Sequence, residues 1–125
     1  MLMKLEQSSA NVLGFLASGR LTDNDYKNFL IPEVKQALDQ PGEIRLLFML
    51  DGFRGWDIQA AWDDLIFGME INRRVERIAL VGDQEWEKWV ARLVKAFTHG
   101  QVRYFDLKER QQAWAWVQAA EQPAA

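Results

Sequence analysis

Seven residues, Ile44 to Leu50, read IRLLFML and are apolar apart from Arg45. A run this short does not sustain a free-standing helix, and one without polar alternation does not suit a strand with one face in water. It reads as a strand covered on both faces, the central strand of an open α/β sheet. Asp51, Gly52, Phe53, Arg54, Gly55, Trp56 and Asp57 follow it, gathering charge, glycine and aromatic rings where a loop is expected to lead into a helix. The carboxyl ends of strands are where open α/β sheets keep their sites.

The rest of the chain fits around this strand. Met3 to Ser8 and Val12 to Ser18 are strand-like and read as a hairpin. Asp23 and Asp25 then open a helix whose apolar stripe is Tyr26, Phe29, Leu30, Val34 and Leu38. Pro32 lies inside that stripe and cannot donate a backbone hydrogen bond, so a kink or two short helices are expected there. A second helix is expected from Asp57 to Glu70, with Ile58, Ala61, Trp62, Leu65, Ile66 and Met69 on its inner face. Val75 to Val81 reads as a further buried strand. Gly82 and Asp83 turn the chain into a third helix with the stripe Trp86, Trp89, Val90, Leu93, Val94 and Phe97, closed by His99 and Gly100. Gln101 to Phe105 is the last strand, and Asp106 with Glu109 caps a final helix carrying Ala113, Trp114 and Val117. The order is β-β-α-β-α-β-α-β-α in a single domain over residues 1–125, with helical crossovers that require parallel strands.

Composition narrows the function classes. The chain has 125 residues, 49% apolar and 26% charged, the balance of a globular domain. No run reaches the roughly 20 apolar residues of a membrane helix, and the first residues show no secretory signal, so a cytoplasmic protein is expected. Cysteine is absent, which removes disulfides and thiolate chemistry. A net charge of −3 without a basic cluster argues against a nucleic-acid surface. Six tryptophans in so short a chain need a core or a pocket to occupy.

The stretches GWDIQAAWDDLIFGME, RIALVGDQEWEKWV and VRYFDLKERQQAWAWV resemble the bacterial STAS/SEC14 domain-containing proteins of the SpoIIAA-like superfamily. That superfamily includes the STAS domains of anti-sigma-factor antagonists and is similar to Sec14-type (CRAL-TRIO) lipid-binding domains. The resemblance implies an α/β, two-layer fold with a mostly parallel sheet and an N-terminal antiparallel hairpin strand. It also implies a non-enzymatic module that binds a protein partner or itself, or alternatively a small carrier of an apolar molecule or lipid. The antagonists carry a regulatory phosphoserine in the region corresponding to Asp51–Asp57. Here serine and threonine occur only at Ser8, Ser9, Ser18, Thr22 and Thr98, so no hydroxyl switch operates in that loop.

Several groups are candidates for chemistry, each with a plainer account. Asp51, Asp83 and Asp106 each follow a strand and could converge on a divalent cation, but Asp83 and Asp106 are better explained as helix caps. Arg54, between Gly52 and Gly55, could read an anion at a helix N-terminus, whereas the glycines alone need only a tight turn. His99, the sole histidine, suits a helix C-terminus better than a catalytic triad, since no serine stands in a nucleophile elbow. Trp62, Trp89 and Phe97 lie on helical stripes and belong to the core, while Trp56 and Phe67 lie off them and suit a pocket mouth or partner surface. The expected site is therefore Asp51 to Asp57 with Phe67, with no catalytic residue, metal or cofactor.

Overall fold

The apolar run forms strand β3, Ile44–Trp56, in a computed structural model that describes residues 1–6, 11–39, 42–56, 74–97 and 100–119. β1 (Leu2–Lys4), β2 (Val12–Leu21), β4 (Val75–Gly82) and β5 (Gln101–Asp106) complete a five-stranded sheet of order β1-β2-β3-β4-β5. β1 runs antiparallel to β2, and the other neighbours are parallel. The central position and the antiparallel N-terminal strand are those expected from the sequence. The expected helix over Asp57–Glu70, His99 and part of the hairpin turn lie outside the described residues.

Side chains along β3 alternate between two cores, as the pleat requires. Ile44, Leu46 and Leu50 pack with Phe15, Val34, Leu80 and Ala91 on one face, and Leu47 packs with Val12, Ala79, Val81 and Trp114 on the other. Helices α2 (Ile31–Leu38) and α3 (Glu87–Phe97) cover the first face, after a short turn α1 (Asp23–Asp25). Helix α4 (Arg110–Gln118) brings Ala113, Trp114 and Val117 to the second, so helices lie on both faces and α4 adds a layer to the two expected.

The first helical stretch shows how Pro32 is accommodated. Thr22 and Asp25 cap its start reciprocally: the Asp25 carboxylate accepts from the Thr22 amide at 2.9 Å, and the Thr22 hydroxyl accepts from the Asp25 amide at 3.2 Å. Tyr26–Leu30 is then a π-helical turn, and α2 resumes with Pro32 in its first turn. The wider turn ends with only Ile31 between it and the residue that cannot continue the α-helical ladder.

Arg45, the one charged residue in the central run, is buried at the opposite edge of the sheet. Its Nε donates to Glu76 Oε2 at 3.0 Å, and its Nη1 donates to the carbonyls of Val117, at 3.0 Å, and Ala119. Arg77 Nη1 donates to the Trp116 carbonyl at 2.6 Å. The last carbonyls of a helix have no intrahelical partner and carry its negative end, so two guanidiniums from β3 and β4 hold α4 down. Among the described residues no helix is long and apolar enough to cross a membrane.

Candidate functional site at the carboxyl edge of the sheet

β3 does not end at Leu50. It continues to Trp56, and Phe53, Gly55 and Trp56 pair with Gly19, Arg20 and Leu21 of β2. This corrects the expected loop from Asp51 to Asp57. The last β4 residue opposite β3 is Val81, beside Met49, so the β2–β3 ribbon projects past β4. Gly52 and Gly55 have φ of 63° and 107°, a region glycine enters without steric cost, and the register with β2 shifts around Gly19. The glycines therefore bend a projecting ribbon and do not form a phosphate-binding turn.

Within the ribbon, Phe53 is buried and stacks on Trp86, with ring centroids 5.5 Å apart and planes 16° apart. Asp51, Gly52 and Arg54 are exposed. Trp56 extends the backbone ladder opposite Leu21. Asp57 and Phe67 lie outside the described residues. Asp51 to Trp56 are thus brought together as a contiguous strand, and Phe53 joins β3 to the turn after β4.

That turn leads into a helix as expected, but its side chains face differently from the expected stripe. The stripe Trp86, Trp89, Val90 places both tryptophans in the core, but Trp86 is 41% exposed and Trp89 is 68% exposed, whereas Glu87 is 0% exposed. Glu87 Oε1 accepts from the amides of Asp83, at 3.0 Å, and Gln84, at 2.9 Å, which lie just before the helix, where amides have no intrahelical acceptor. Once Glu87 points inward, Trp86 and Trp89 lie about 100° and 160° around the helix from it and must face away. Asp83 consequently does not cap α3 with its side chain, as had been expected, and Glu87 serves instead. Asp106 does cap as expected: its carboxylate accepts from Lys108 N at 3.0 Å, while Glu109 accepts from Asp106 N at 3.1 Å.

Burial pushes the Glu87 carboxyl above the ordinary carboxylate value, and the Asp83 charge adds to this. The two amide hydrogen bonds and the Tyr104 hydroxyl oppose the shift without cancelling it. Glu87 Oε2 is buried and has no hydrogen-bond partner among the described residues. Burial and then the charges of Glu87, Asp106, Asp83 and Glu85 hold the Tyr104 phenol up to about 12. The edge is therefore a field of acidic groups around a buried acid, with two indoles facing out. Among the described residues no set of three or more histidines, cysteines or carboxylates could hold a metal ion, and Asp51, Asp83 and Asp106 form none.

One signal could have revealed Glu87. Gln84 and Glu87 have the three-residue spacing of Asp106 and Glu109, the reach-back half of a capping box, with glutamine in place of the usual N-cap residue.

The comparisons with known proteins agree with this architecture. No curated protein matches the chain. Among solved structures, an uncharacterised protein of the DUF3478 family with a SpoIIAA-like fold, from Shewanella loihica PV-4, is similar at 29% identity and a TM-score of 0.73, over 93% of each chain. The SpoIIAA-like family profile matches residues 12–118, from the first residue of β2 to the last of α4. The chain belongs to the SpoIIAA-like family.

Proposed function

We propose that the chain is a non-enzymatic protein-interaction module of the STAS type that works without a phosphoserine switch, with its recognition surface at the start of α3. The observation that carries this reading is the outward exposure of Trp86, in the turn that enters α3, and Trp89, in its first turn, large aromatic residues three positions apart. Exposed indoles are what interfaces enrich, because they supply large contact area with few rotatable bonds. Phe53 backs Trp86 from below, and the exposed Asp51 and Arg54 of the same ribbon supply a polar rim. SpoIIAA-like domains generally interact with proteins. The serine and threonine positions leave the segment from Leu50 to Met69 without a hydroxyl to phosphorylate.

The test is photo-crosslinking in the native cell, with the photoreactive residue placed at position 89 or, as a control, at Gln112, exposed on α4 across the sheet. A discrete protein adduct from position 89 alone is expected, and a second copy of the chain counts as such a partner. Equal or absent adducts from the two positions would overturn the reading. The alternative, a carrier of an apolar small molecule or lipid, draws on the same concentration of aromatic rings. Native mass spectrometry of freshly purified protein separates the two, since a carrier retains a lipid-sized adduct and an interaction module does not.

A further inference from the structure

The residues flanking the two indoles indicate what kind of partner they suit. Glu85 immediately precedes Trp86, Asp83 lies at the head of the same turn, and both are exposed. Asp106 and Glu109, at the end of the neighbouring strand β5, are exposed as well. Lys88 on this turn pairs with Glu85 at 3.3 Å in an open ion pair of the kind water and salt weaken, while the exposed cations Lys108 and Arg110 stand beside Asp106 and Glu109 and Arg54 lies on the β3 ribbon, so the carboxylates next to the indoles are those of Asp83 and Glu85. Arg92 follows one turn further along α3. Trp86 is stacked on Phe53 on one side and still 41% exposed, and Trp89 is more exposed again. An indole face attracts a cation through its quadrupole, and flanking carboxylates strengthen that attraction. The molecule uses the same contact elsewhere: the guanidiniums of Arg77 and Arg103 each lie 5.4 Å from the Trp116 ring.

We propose that Trp86 and Trp89, flanked by Asp83 and Glu85, receive an arginine- or lysine-bearing segment of a partner protein, with the cationic group seated on an indole face. This rests on the protein-interaction reading above and adds the chemistry of the partner. Charge complementarity is the argument for this occupant: an apolar segment would desolvate the carboxylates of Asp83 and Glu85 with only the open Lys88 pair to offset the cost, and an acidic one would be repelled.

The test is a 1H–15N titration of the full chain with the peptide acetyl-(Gly-Arg)3-amide, with acetyl-(Gly-Glu)3-amide as control, following the indole N–H signals of Trp86 and Trp89. Saturable shifts of both signals are expected with the arginine peptide and none with the glutamate peptide. Trp89→Ala removes an exposed ring, keeps every charge, and should weaken the binding about threefold to tenfold. Asp83→Asn combined with Glu85→Gln should weaken it too, more at low salt than at high salt. The proposal is overturned if the indole signals do not shift saturably. It is equally overturned if Trp89→Ala leaves the affinity unchanged, which marks diffuse attraction to an acidic protein. A cross-linked protein at position 89 together with a failed titration rejects the cationic partner and leaves the interaction module standing. A successful titration without any cross-linked protein supports the cation-binding surface and rejects the protein-interaction reading.

Discussion

Gly82 and Glu87 compete for one small volume at the end of β4, since a Cβ on Gly82 would lie 2.2 Å from Glu87 Oε1 and 2.9 Å from the Tyr104 hydroxyl. A glutamate tip can usually swing aside, but this oxygen is held by two backbone amides. Gly82→Ala should therefore cost about 1–3 kcal/mol, the usual range for overpacking. The loss, read by urea unfolding, should be smaller in a Glu87→Ala background, because the two residues share the contact. The same carboxyl gives a pH dependence of definite sign. Its folded-state value lies above the ordinary one, so the folded protein holds the proton more tightly than the unfolded chain does. That contribution to stability is complete below the ordinary carboxylate value and is lost as pH rises through the folded-state value. Glu87→Gln keeps the accepting oxygen and cannot ionise. Its stability relative to the parent should improve as pH rises from about 4 to about 7. A difference that stays constant or shrinks over that range in parallel urea melts would contradict the assigned burial.

At the scale of elements, the β3 extension makes a prediction that a loop would not. Phe53 is buried and Arg54, next to it, is exposed, as alternate positions of a strand should be. Phe53→Ala should cost about 3–5 kcal/mol, as truncation of a buried aromatic does, whereas Arg54→Ala should change stability by no more than about 0.5 kcal/mol. Comparable losses in thermal melts of the two variants would place Arg54 in the structure and not on the rim. Arg45 gives the corresponding test for α4. Arg45→Ala leaves Glu76 and the carbonyls of Val117 and Ala119 without their donor, and should cost about 3–5 kcal/mol. Faster hydrogen exchange should appear first in the last turn of α4.

These elements also show what the sequence could and could not convey. The doubly apolar run at Ile44–Leu50 announced a central strand because strand burial on two faces leaves a direct compositional mark. The Asp106–Glu109 capping box was equally plain, since both partners lie within one turn. The strand character of Asp51–Trp56 was not legible, because two glycines and two charges resemble a turn unless the pairing residues Gly19–Leu21, more than 30 positions away, are known to lie alongside. The places of Trp86 and Trp89 were not legible for a related reason. Helical periodicity ranks tryptophan as the core residue and glutamate as the surface residue, and two backbone amides at the helix start reversed that ranking.

Across the whole molecule, the two edges of the sheet do different work. At the amino edge, Arg45 and Arg77 anchor α4 over the second core. At the carboxyl edge, Glu87 turns inward and Trp86 and Trp89 outward, and the proposed interaction surface depends on that orientation. The most direct measurement is the broadening of each tryptophan indole N–H signal by a soluble paramagnetic agent, with assignments from single Trp→Phe variants. Trp89 should broaden strongly and Trp86 clearly, while Trp114, 9% exposed beneath α4, should stay sharp. A Trp89 signal as protected as that of Trp114 would mean that α3 faces the core with its tryptophans, and the account of this edge would be wrong.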